Sequence, residues 1–171
     1  SGTLNVNVLN AIVQRNTEII GRMELFVVLK LVAAGRTSEY KTRIVKGRKG
    51  ELATWNERFS FTIPRNALAD ARLFLEVKDE DVTTDDIVGV GNINLQNCMV
   101  FNSARNAYEV RLHYKNEDAG ILNVETNGHE NIGDSSMDNS EYKIYLDISP
   151  MQEVNRESIK DKGMSKEEHS P

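Results

Sequence analysis

Cysteine is almost missing from this chain of 171 residues: Cys98 stands alone. A single thiol excludes an internal disulfide framework and any multi-cysteine metal site. No run of about 18 apolar residues is present, which excludes a membrane-spanning helix of ordinary length. No Asn-x-Ser/Thr sequon occurs, in keeping with a cytosolic setting. The three histidines, His113, His129 and His169, are scattered, and none lies near Cys98 in sequence. G-x-S-x-G, Walker A and H-E-x-x-H are all absent, and Gly89-Val-Gly91 lacks the third glycine of a dinucleotide fingerprint. The expectation is a protein that is not an enzyme and takes no small-molecule substrate. An excess of base is missing too. With 26 acids against 21 bases the formal charge is −5, which argues against nucleic acid as the main partner. An initiator methionine is also lacking, and Ser1-Gly2 reads as a protease-cleavage scar on a piece of something longer, so it is set aside from the fold.

What is present is enough apolar residue, 39%, for a real core, and a period of two. Leu4, Val6 and Val8 alternate with asparagines. Phe59, Phe61 and Ile63 alternate with Ser60 and Thr62. Leu73, Leu75 and Val77, then Gly91, Ile93 and Leu95, then Ile121 and Asn123, repeat the pattern. Such alternation buries one face of a sheet and wets the other. Leu25 to Leu31 is nearly continuous apolar and reads as a central strand. Thr42–Val45 and Tyr108–Leu112 are weaker candidates. Helical signal is limited to one turn around Asn66–Ala71, next to Pro64. Short strands at roughly ten-residue spacing predict an all-β, antiparallel sandwich.

Charge is sorted along the chain. Asp79, Glu80, Asp81, Asp85 and Asp86 crowd one short stretch without a base. A hard divalent cation with several oxygen ligands relieves such repulsion, although a solvated acidic turn has the same composition. Arg36, Lys41, Arg43, Lys46, Arg48 and Lys49 form the opposite cluster, with Glu39 as the one acid among them. A basic sheet face attracts phosphate-bearing partners, and lysines also guard sheet edges.

Taken in order, these residues resemble the C2 domain, the calcium- and phospholipid-binding sandwich of protein kinase C, synaptotagmins and phospholipases. Leu4-Asn-Val-Asn-Val-Leu-Asn-Ala11 is similar to its L-x-V-x-V-x-x-A first strand, and Tyr40-Lys41-Thr42 to its K-T strand. Trp55-Asn-Glu-Arg-Phe-Ser-Phe61 is similar to W-N-E-x-F-x-F. Asp79-Glu-Asp81 through Asp86-Ile-Val-Gly89 resembles D-x-D…D-x-x-G, and Gly120-Ile-Leu-Asn-Val124 the closing G-x-L-x-V. The resemblance implies an eight-stranded Greek-key β-sandwich of type II connectivity over residues 3–126. A polar loop over 127–140, an additional strand over 141–150 and a charged tail over 151–171 are expected to follow.

The resemblance also implies roles. A calcium cup draws on Glu18, Glu24, Asp79, Asp81, Asp85 and Asp86. Glutamate stands at both first-loop positions where the family has aspartate, and the third loop is one residue short. Calcium occupancy, stoichiometry and the choice between Asp85 and Asp86 therefore stay open. Ile19, Ile20 and Val82 are the implied membrane-inserting residues. Lys41, Arg43, Lys46 and Arg48 are the implied ligands of anionic lipid headgroups, with Trp55 beside them or simply packed in the core. The implied function is membrane targeting through anionic phospholipid, by a cytoplasmic protein associated peripherally with membranes. The alternative is a calcium-independent protein-interaction domain of a larger trafficking or scaffold protein.

Overall fold

The computed structural model describes residues 1–95 and 102–131. Among the described residues nine strands follow one another: β1 (Gly2–Val13), β2 (Met23–Ala33), β3 (Arg36–Lys41), β4 (Val45–Gly47), β5 (Leu52–Ile63), β6 (Arg72–Asp79), β7 (Asp86–Asn94), β8 (Asn102–Tyr114) and β9 (Glu117–Glu130). A 3-10 turn at Arg65–Asp70 separates β5 from β6, where the Asn66–Ala71 turn is expected. Eight strands pair in the order β3-β2-β6-β7-β8-β9-β1-β5, and short β4 pairs with β2. Every pairing is antiparallel. β7 meets β8 at the single pair Val90–His113, so the path folds into two layers of four at that point. β1 and β2 lie in different layers, as do β5 and β6, which is the Greek-key crossing of an eight-stranded sandwich.

The period of two becomes the core. Leu4, Val6 and Val8 are fully buried, as are Leu73, Leu75 and Val77 from the facing layer. Each such side chain contributes ~1.5–3 kcal/mol by leaving water. β2 is buried on both faces from Leu25 to Leu29, as its continuous apolar run predicts. Trp55 is among the largest fully buried side chains, so packing is its structural role. Two hairpins close on two-residue turns with positive φ at both positions, Ala34-Gly35 and Lys115-Asn116, the twist that matches flanking strands.

Three boundaries differ from expectation. Ser1 and Gly2 belong to the sandwich: Gly2 pairs with both Ile63 and Glu130, and the Ser1 carbonyl accepts the Asn131 amide at 3.1 Å. The same pairing extends β9 to Glu130, past the expected boundary at 126, because a partner strand outweighs the turn-like Asn127-Gly128. Thr42–Val45 is not a continuous strand. β3 ends at Lys41 and β4 starts at Val45. Between them the Thr42 amide still donates to the Val27 carbonyl at 2.9 Å, but the Val27 amide donates to the Thr42 hydroxyl, which in turn donates to the Arg43 carbonyl, so a side chain takes one of the two ladder bonds. Residues 132–140 of the expected loop, the strand over 141–150 and the tail over 151–171 lie outside the described residues. No helix among the described residues is long and apolar enough to cross a membrane.

Candidate functional site

The acids expected to form a cup come from two loops at one end of the sandwich. The first joins β1 to β2 and carries Glu18. The second joins β6 to β7 and carries Glu80 to Asp85. Asp79 ends β6 opposite Asp86, which opens β7. Asp79 is fully buried, with both carboxylate oxygens engaged. Oδ1 accepts the Glu24 backbone amide at 2.7 Å, and Oδ2 accepts the Thr17 hydroxyl at 2.8 Å. The Glu80 amide donates to the Glu24 carbonyl at 2.9 Å. Asp79 and Glu24 thus lock the second loop to the start of β2.

Around that fixed carboxylate the charge is crowded. Glu18 is held above its ordinary pKa, first by its side-chain hydrogen bond to Asp79 and then by Asp79's charge. Desolvation and the charges of Asp81 and Asp86 push the same way. Asp85 turns its carboxylate inward along its own loop, where Oδ1 accepts the Asp81 amide at 3.2 Å. Asp81 Oδ1 accepts the Val82 amide at 2.6 Å. The donors are all carboxylate oxygens, the kind a hard cation takes, and their mutual repulsion is the charge it would relieve. Among the described residues, no three His, Cys, Asp or Glu side chains form a group that could hold a metal ion as they stand.

A cleft of about 660 Å³ opens at this end, lined by Glu18, Arg22, Glu24, Lys46, Glu80, Asp81 and Val82. Lys46 is there because β4 sets it directly opposite Glu24. Lys41, set opposite Val28, lies on the same face of β2. Lys41 is exposed at the end of β3, and Arg48 is exposed just past β4. Arg43 is tied to the edge of β5. Its backbone amide donates to Glu57 Oε1 at 2.9 Å, and its guanidinium reaches the Trp55 carbonyl and Glu57. Trp55 Nε1 donates back to the Arg43 carbonyl at 3.1 Å. Lys41 and Arg43 are both exposed, on either side of buried Thr42. Arg22 at the cleft and Thr17 on Asp79 were not legible as site residues, since both depend on how the first loop folds back.

The apolar candidates stand clear of the fold. Ile19 is 99% exposed, Ile20 87% and Val82 100%, on the same two loops as the acids. None of the three packs on the sandwich end. Gly21, with φ of 86°, turns the chain directly after the isoleucine pair.

The C2 domain family model matches residues 2–112. Elicitor-responsive protein 3 of Oryza sativa subsp. japonica is 35% identical over 96 residues, which is 56% of this chain and 61% of that protein. The chain thus spans about three fifths of that relative. A C2 domain of plant extended synaptotagmin 1 superposes with a TM-score of 0.66 at 23% identity, over 76% of this chain and 95% of that one, a likeness of fold. Human GIVD cytosolic phospholipase A2 is similar over 77% of this chain at 25% identity and a TM-score of 0.61, but over only 16% of its own length. That likeness therefore reaches a small part of the enzyme. A two-layer Greek-key sandwich with its acids gathered on two loops at one end, matched from β1 to β8 by one family model, has one assignment: the chain belongs to the C2 domain family.

Proposed function

We propose that this domain docks on anionic membranes through its two acidic loops, with Ile19, Ile20 and Val82 entering the interfacial region. The observation that carries the reading is the near-complete exposure of those three side chains beside the carboxylates. Exposed Ile and Val flanking a charged rim have no folding role here, and each gains ~1.5–3 kcal/mol on leaving water. The same gain on a bilayer makes docking reversible.

The negative cleft opposes an anionic surface, so docking needs its charge offset. Calcium supplies that neutralisation and a bridge to lipid phosphate when bound. Asp79 anchors the ligand set, since its position is fixed by the Glu24 amide and the Thr17 hydroxyl. Glu18, Asp81 and Asp86 complete it by side-chain rotation, which relieves the repulsion felt at Glu18. Asp86 is favoured over Asp85 because Asp86 acts on Glu18 while Asp85 accepts the Asp81 amide. Glu24 and Lys46 face each other across the β2–β4 pair, so Lys46 offsets part of the negative charge of the cleft. Lys41 and Arg48 remain accessible to headgroups, whereas Arg43 serves chiefly to hold β5.

Sedimentation with vesicles of phosphatidylserine in phosphatidylcholine, with calcium and with chelator, tests the reading. Pelleting that grows with calcium and with anionic lipid supports it. A protein that stays in the supernatant under both conditions sinks it and leaves the protein-interaction reading.

A further inference from the structure

The outer face of the β8-β9-β1-β5 layer sets a patch of amides and a hydroxyl among three charged side chains. Ser60, Asn5 and Asn127 line up across three strands, with Arg105 opposite Asn127 on the fourth. In the next row Arg58, Asn7 and Glu125 line up the same way. These two rows enclose a groove of about 300 Å³ lined by Asn5, Asn7, Arg58, Arg105, Glu125 and Asn127. It lies on the side of the sandwich, away from the acidic loops.

Its polar groups are unevenly matched. Asn5 Oδ1 accepts the Ser60 hydroxyl at 2.6 Å, which fixes that amide. Asn7 Oδ1 is buried and has no hydrogen-bond partner among the described residues. Arg58 has no ion pair among the described residues. Arg105 Nε stands 4.0 Å from Glu125, and its side chain is 76% exposed. Two guanidiniums call for an anion, and a planar fork suits phosphate. A sheltered amide oxygen calls for a donor, which a phosphate oxygen cannot be and a hydroxyl can. Glu125 likewise accepts from a hydroxyl but repels a bare anion.

We propose that the groove between Arg58 and Arg105 binds a phosphorylated polyol, the phosphate on the guanidiniums and ring hydroxyls on Asn7 and Glu125. This inference does not depend on the docking reading, because no residue is shared between the two sites. The ligand chemistry occurs both as a free sugar or inositol phosphate and as an inositol lipid headgroup.

The test is titration of the intact chain by two-dimensional NMR with myo-inositol 1-phosphate, myo-inositol and inorganic phosphate. The side-chain amides of Asn5, Asn7 and Asn127 are expected to shift most with the first. Arg58→Gln with Arg105→Gln should weaken that binding at least ~10-fold, the loss expected for charged hydrogen bonds. Both arginines lie on the surface, so an unchanged melting temperature certifies the fold. Asn7→Leu should weaken the polyol phosphate while leaving inorganic phosphate unaffected. Vesicles of phosphatidylcholine with and without phosphatidylinositol separate the sources, in a background of Ile19→Ser and Ile20→Ser that removes loop docking. Pelleting abolished by the double arginine variant assigns the lipid headgroup. Binding of the soluble phosphate without pelleting assigns the free ligand. Amides that do not move, or binding that survives loss of both arginines, overturns the proposal.

Discussion

Asp79 Oδ1 accepts the backbone amide of Glu24 at 2.7 Å, although 55 positions separate the two in sequence. One carboxylate therefore both terminates β6 and holds the start of β2. Removing it should act on stability and on ion binding in separable ways. Asp79→Ala leaves the Glu24 amide and Thr17 hydroxyl without their acceptor and should cost about 1–3 kcal/mol. Asp79→Asn keeps an acceptor for the amide and should cost less, while taking a charge from the cup. Denaturant unfolding distinguishes the two variants, and calcium titration should show both of them impaired.

Glu18 is raised from its usual 4.5 chiefly by Asp79, so its charge opposes folding. A carboxyl whose folded pKa lies above its unfolded value favours the native state at low pH and loses that advantage as pH rises through the folded value. Glu18→Gln should therefore melt higher than the parent at neutral pH. The difference should vanish below the ordinary carboxylate pKa, where Glu18 is already protonated. Thermal melts across that range check the sign.

Arg43 and Trp55 exchange hydrogen bonds through backbone carbonyls, stitching the segment after β3 to β5. Arg43→Ala should lower stability by about 1 kcal/mol, a charged bond discounted for exposure. Lys41→Ala should leave it unchanged. Lys41→Ala is thus the cleaner probe of headgroup binding, and thermal denaturation of the two single variants separates fold from function.

Gly120 has φ of 123°, and a Cβ there would run into the backbone of Ile12 and Val13 across the β1–β9 pair. Gly120→Ala should cost ~3 kcal/mol or more, from strain and overpacking together. The melting temperature reads this directly.

How much of this was legible follows from where each residue's neighbours come from. Leu4, Val6, Val8, Leu73 and Leu75 announce a buried face through their own spacing, so the sandwich could be read from sequence. Trp55-Asn56-Glu57 marked β5 equally well. The break in the ladder at Thr42 could not be read, because it depends on a hydroxyl meeting Val27 on another strand. Lys46 looked like part of a basic run, yet the β2–β4 register sets it opposite Glu24. The acids of the cup were visible as a cluster. That Asp79 would be buried and doubly bonded was not, since both partners come from the first loop and β2. The amide patch of β1 and β9 was hidden for a similar reason: Asn5 and Asn7 read as the wet half of an alternation until their neighbours across the sheet are known.

The exposed Ile19, Ile20 and Val82 carry the central claim, and replacing them leaves the core untouched. Ile19→Ser with Ile20→Ser, which adds no charge beside Glu18, should therefore melt like the parent. Sedimentation with phosphatidylserine-containing vesicles, in calcium and in chelator, compares that variant with the parent most directly. The account predicts calcium-enhanced pelleting of the parent and a loss of at least ~10-fold in vesicle affinity for the variant, from the apolar burial forgone. Equal pelleting of parent and variant, or none by the parent in either condition, would contradict it.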